Sequence, residues 1–223
     1  MSRLLGSAAY LAVTAAGILA VMLMIALEAG VTQQRFESVF ALARYTEQFM
    51  AARQPLLLTL TFDNLFILAY TGAIGLAMAG LRSAENAWIA GLAAAGMVAT
   101  GLLDYAENLH FLTMYAGLDA GVALTEGEVA QRMWASMMKW HIAYAAMFAA
   151  SFVIPVRGLF SFVLVWSMRV GLPVIGVLVY TAPEDFRPLL GIARYVMMFS
   201  GFVLMALVFS GEAARKEPGL TTM

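Results

Sequence analysis

The sequence predicts an all-α integral membrane protein: a bundle of six transmembrane helices with an amphipathic interfacial helix between the first two. Three observations predict it. Of 223 residues, 62% are hydrophobic and only 12% are charged, about half the charge of an ordinary soluble domain. Mean hydropathy is +0.83. The apolar residues fall into six runs, each close to the ~20 residues that cross a ~30 Å hydrocarbon layer. Backbone groups in lipid find no water to bond, so runs of this length are helices.

The runs are 4–27, 56–81, 87–109, 133–154, 158–180 and 189–210, which makes 1–223 a single transmembrane domain. The first is longer than the 7–15 apolar residues of a signal peptide, so it is expected to stay as a transmembrane helix. Over 32–53, Phe36, Val39, Phe40, Ala43 and Met50 recur at three- to four-residue steps, with Glu37, Arg44 and Gln48 opposite. That spacing predicts the amphipathic interfacial helix. The second run follows Pro55. The third is expected to continue as a polar-edged helix towards residue 118, and Gly91, Ala95 and Ala99 give it a face for close helix contact. Thr125 followed by Glu128 is a capping-box pattern that starts the fourth helix outside the bilayer. That helix stops before Pro155. In the fifth, Pro173 has no N–H for the carbonyl of Arg169, and Gly171 weakens the same turn. A kink there, aiming Arg169, is expected.

Six passes put both termini and the short turns 82–86 and 155–157 on one face, and the longer connections on the other. The short face holds Arg3, Arg82, Arg157, Arg215 and Lys216 in few residues. The long face spreads Arg35, Arg44, Arg53, Arg132, Lys139, Arg187 and Arg194 over far more chain. Cations in short loops weigh most, so their density predicts both termini cytoplasmic although raw count leans the other way; the membrane is expected to be a bacterial inner membrane.

Composition removes several functions. A net charge of −1 gives no basic field for nucleic acid. Without cysteine there are no disulfides, thiolate metal sites or thiol catalysis. The 16 methionines are scattered and suit helix packing. Expected partners are membrane lipids and, through the small-residue face, a second copy or another membrane protein.

Charges inside the runs are costly and pair within a bundle. Helices 1–3 carry Glu28, Asp63, Asp104 and Glu107, whereas helices 4–6 carry Lys139, Arg169 and Arg194. Depth counting puts Asp63, Asn64, Asp104, Glu107, Asn108, Lys139 and His141 in one leaflet, as a single polar site. Asp104, Glu107 and Asn108, spaced i, i+3 and i+4, share one helix face. Two ionised carboxylates one turn apart need a cation or a shared proton, with Lys139 and Arg194 the candidates. Arg169, Pro173 and Arg194 form a candidate gate. This Asp-x-x-Glu-Asn stretch, with Phe62-Asp63-Asn64 upstream, resembles bacterial multi-pass membrane proteins of unassigned function, and the resemblance implies no activity.

Four readings of the cluster stay open. It is a structural lock between helices, as in an accessory subunit of a membrane complex. It is the site of a small transporter or ligand-binding protein. It is a metal or haem site using Glu107, His110 and His141, although His110 lies about 240° around the helix from Asp104. Or it is a lipid-modifying centre, with no activated nucleophile visible. No motif names a cofactor, and enzyme activity is the less favoured class.

Overall fold

A computed structural model describes residues 1–37 and 41–216, apart from the side chains of 184, 187 and 188. Val39 and Phe40 of the expected interfacial helix, and the Arg187 cation, lie outside the described residues. Every described regular element is helical, as the sequence predicts. Eight α-helices follow in order: α1 (Ser2–Ala29), α2 (Leu42–Ala51), α3 (Arg53–Leu81), α4 (Ala87–Asp119), α5 (Glu126–Ala150), α6 (Leu159–Trp166), α7 (Leu172–Thr181) and α8 (Arg187–Arg215).

Among the described residues, five stretches are long and apolar enough to cross a membrane: Ser2–Ala29, Arg53–Leu81, Ala87–Asp119, Leu159–Thr181 and Leu189–Arg215. The 25-residue α5 is outside this set: Glu126, Glu128 and Arg132 lie in its first two turns, and Lys139 and His141 lower the hydropathy of the rest. It starts as its sequence suggests, with Thr125 Oγ1 accepting the Glu128 N–H at 3.2 Å. Where the kink is expected, the helix is irregular. The chain widens into a single π turn at Ser167–Gly171, where the Leu172 N–H bonds the Ser167 carbonyl. The wider turn accommodates the N–H that Pro173 lacks and joins α6 to α7.

Packing closes the helices into a ring: α1 lies on α3, α3 on α4, α4 on α5, α5 on α7, and α8 on both α7 and α1. Small residues set the spacing. Ala8, Ala12 and Ala15 on α1 are fully buried, and a side chain at Gly80 would meet Leu5. A Cβ on Gly96 of α4 would lie 2.8 Å from Ala146 Cβ of α5. The expected small face is therefore displaced. Gly91 and Ala95 point outward, and Gly96 and Gly101 make the close contacts.

At 33 residues, α4 is about 50 Å long, so it outruns an apolar layer. Its last turns carry an aromatic cap. Phe36 and α2 residues Tyr45 and Phe49 pack onto Phe111 and Tyr115, the Phe49 and Tyr115 rings stacking at 4.1 Å. The apolar stripe read from the sequence differs here. Ala43 and Met50 face outward while Tyr45 and Phe49 are buried, because the chain makes a short 3-10 turn at Gln33–Glu37 before α2 begins. Below the cap lies the main core of α1, α3, α4, α5, α6 and α8.

Candidate functional site

The polar residues occupy the layer between those two cores. Lys139, three turns into α5, is its centre. Its ammonium lies 2.7 Å from Asp104 Oδ1 and 3.7 Å from Glu37 Oε1, and it donates to Glu107 Oε2. Each carboxylate has a further partner. Asp104 Oδ2 accepts from Tyr70 at 2.8 Å. Glu107 Oε1 accepts from Arg132 Nη2 at 3.3 Å. Glu37 Oε2 accepts from Trp140 Nε1 at 3.0 Å and lies 3.5 Å from Arg194 Nη2. Arg132 also donates through Nε to the Phe36 carbonyl at 3.1 Å, with its guanidinium over the Phe111 ring. Arg194 stacks on Trp140 at 4.1 Å.

Asp63 differs from the other acids. Asn108 Nδ2 donates to its Oδ2 at 2.8 Å and to Asn64 Oδ1 at 2.9 Å, while Gln33 Nε2 donates to Asn108 Oδ1 at 3.3 Å. Among the described residues, no cationic side chain pairs with the Asp63 carboxylate.

Glu37 sits in the connection outside the long apolar helices. Burial would raise its carboxyl, but Lys139, Arg194, the Trp140 N–H and Arg132 outweigh that and hold it below the usual carboxylate range.

A cavity of about 180 Å³ opens on this layer and is lined from α1, the Gln33–Glu37 turn, α3, α4, α5, α6, the π turn, the first residue of α7 and α8. Glu37, Asp63, Asp104 and Lys139 form its polar end, and Met22, Phe66, Met97, Tyr144, Met147 and Phe202 are part of its apolar wall.

Six of the seven expected site residues thus come together: Asp63, Asn64, Asp104, Glu107, Asn108 and Lys139. His141 does not. It is exposed on the outer side of α5, with Nδ1 at 2.7 Å from the Met137 carbonyl and its ring stacked on Tyr180. Two residues from Lys139 on a helix, it faces about 200° away. Arg194 belongs to the charge network, apart from Arg169. The Arg169 guanidinium donates to Ser151 Oγ and to the Ser151 carbonyl, both at 3.1 Å, and covers Phe152, so the Pro173 turn ties α6 to the end of α5. Glu28 is exposed at the end of α1.

The metal candidates do not converge. Glu107 is held by Lys139 and Arg132, His110 lies 3.6 Å from Glu128, and His141 faces outward. Among the described residues, no group of three His, Asp or Glu side chains could hold a metal ion.

Two central residues escaped the sequence reading. Arg132 had a usable signal: with Ser136 and Lys139 it repeats at i, i+4 and i+7, one helix face. Glu37 had none, since the amphipathic period placed it on the polar side of a surface helix. The chain matches no protein-family model, no curated protein and no solved structure.

Proposed function

We propose that the chain is a single-domain, six-pass protein of a bacterial inner membrane that binds, and as a small transporter carries, a small ligand with an apolar body and a polar end. The cavity at the centre of the helix ring, apolar along its wall and ionic at one end, carries this reading. Binding sites between bundle helices have this make-up, and about 180 Å³ is a little more than the ~150 Å³ that accommodates benzene.

The ends of the helices support an even number of passes with α5 as the sixth. Lys216 at the end of α8 donates to the Gly80 carbonyl at 2.9 Å, and Arg157 lies 3.3 Å from Glu212. One end of the bundle therefore gathers the end of α3, the α5–α6 connection and the end of α8. The density of cations at that end supports a cytoplasmic assignment. The packing of Tyr45 and Phe49 suits α2 as an interfacial cap over the site.

The test is binding of benzyl alcohol to the detergent-purified chain, with Ala143→Leu, a cavity-lining position, as the blocked variant. Saturable binding lost in Ala143→Leu with the thermal midpoint kept is the expected result. Binding equal in both variants, or none in either, removes the reading. Flux of the same probe in proteoliposomes separates a carrier from a binding protein.

A second reading, an accessory subunit, is favoured by the outward Gly91 and Ala95 on α4. It expects a Gly91→Cys variant, in a chain otherwise free of cysteine, to crosslink to a copy or a co-purifying partner.

A further inference from the structure

We propose that the ligand's polar end is a monocation, an organic ammonium group seated on Asp63; this rests on the cavity reading above and names the chemistry it accepts. The buried layer holds four carboxylates, Glu37, Asp63, Asp104 and Glu107, and three cations, Arg132, Lys139 and Arg194. Three minus four leaves one negative charge. Among the described residues, the ion pair of His110 and Glu128 sits nearer the surface, with side chains 27% and 33% exposed, and Arg35 is exposed.

Geometry says which carboxylate carries the surplus. Glu37, Asp104 and Glu107 each contact Lys139, and Glu37 and Glu107 contact an arginine as well. Asp63 has amide partners only, and it faces the cavity. A buried charge without a counter-charge is costly, so an incoming cation gains more there than at any of its neighbours. Lys139 also borders the cavity and repels a cation, but its charge is engaged by three carboxylates and leaves the end of the cavity net negative.

The wall selects the kind of cation. An inorganic ion asks for about six oxygen ligands or more, whereas much of this lining is methionine and aromatic side chain. Phe66 and Tyr70 lie one and two turns along α3 from Asp63 and also line the cavity. Ring faces attract ammonium groups, and thioethers adapt to an apolar body of varied shape. A primary amine on a benzene-sized body matches both ends of the site.

The experiment compares benzylammonium with benzyl alcohol, near-equal in shape, by calorimetry on the full detergent-purified chain at neutral pH. The expected result is that the ammonium binds at least roughly tenfold more tightly, and that Asp63→Asn removes this preference, so that the two probes bind the variant alike. The asparagine keeps the side-chain shape and an oxygen for Asn108, and the comparison on the unaltered chain needs no variant. Equal affinity for the two probes overturns the proposal and assigns the balancing charge to a proton, with the cavity reading intact. A preference that survives in folded Asp63→Asn overturns it too. Binding of neither probe overturns this proposal and the cavity reading together.

Discussion

Lys139 compensates three buried carboxylates, so its loss has no local remedy. Lys139→Met leaves Glu37, Asp104 and Glu107 with too little positive charge, and breaking such a buried set costs about 3–5 kcal/mol. The expected outcome is failure to accumulate, or a large drop in thermal midpoint, read by fluorescence-detected size exclusion. Tyr70→Phe removes one hydrogen bond to Asp104 and should cost about 1–3 kcal/mol, read in the same assay. Glu37 adds a pH dependence. Its carboxyl lies below the ordinary 4.5 in the folded chain, so its stabilisation is complete above that value. It is lost as pH falls through the folded value. The stability gap between the parent and Glu37→Gln should therefore be widest near neutral pH and shrink in acid; a constant gap in denaturation at stepped pH would remove the assignment. Asp104, Glu107, Asn108 and Lys139 were legible as a site because charges in apolar runs are conspicuous. Glu37 was not, since polar residues are ordinary in a connection and only the turn at Gln33–Glu37 carries it inside.

At the scale of elements, the α4–α5 contact depends on Gly96. Its missing Cβ leaves room for Ala146, whose own Cβ is fixed to the backbone, so a larger residue must push the helices apart. Gly96→Ile should cost about 1–3 kcal/mol and loosen the Asp104–Lys139 contact, which joins the same two helices. Gly91→Ala, with nothing within 4 Å, is the matched control and should leave the thermal midpoint nearly unchanged. Helix existence and approximate position were readable from run length alone, down to the turn enforced by Pro173. Which small residues mediate packing was not readable, because Gly91, Ala95 and Ala99 repeat at four-residue steps whereas Gly96 and Gly101 do not, and only the rotation of α4 in the ring turns the latter pair inward.

For the whole molecule, the number of passes is testable with single cysteines, since the chain has none of its own. In sealed vesicles, Ser83→Cys and Lys216→Cys should react with an impermeant maleimide from one face, and Ala123→Cys from the other. An α5 that failed to cross would instead put Lys216→Cys on the face of Ala123→Cys. The sequence by itself determined that the chain is all-helical, with several stretches apolar enough to cross a membrane, since lipid requires a backbone that satisfies itself within each segment. It also showed that Asp104 and Glu107, one turn apart, need a shared proton or a cation, with Lys139 and Arg194 as the candidates. Only the tertiary structure decided that Arg132, Arg194 and Glu37 complete the set, that His141 stays outside it, and that Asp63 has no cationic partner among the described residues. Those outcomes depend on helix rotation and on where an irregular connection folds back, which long-range packing sets and local hydropathy does not encode.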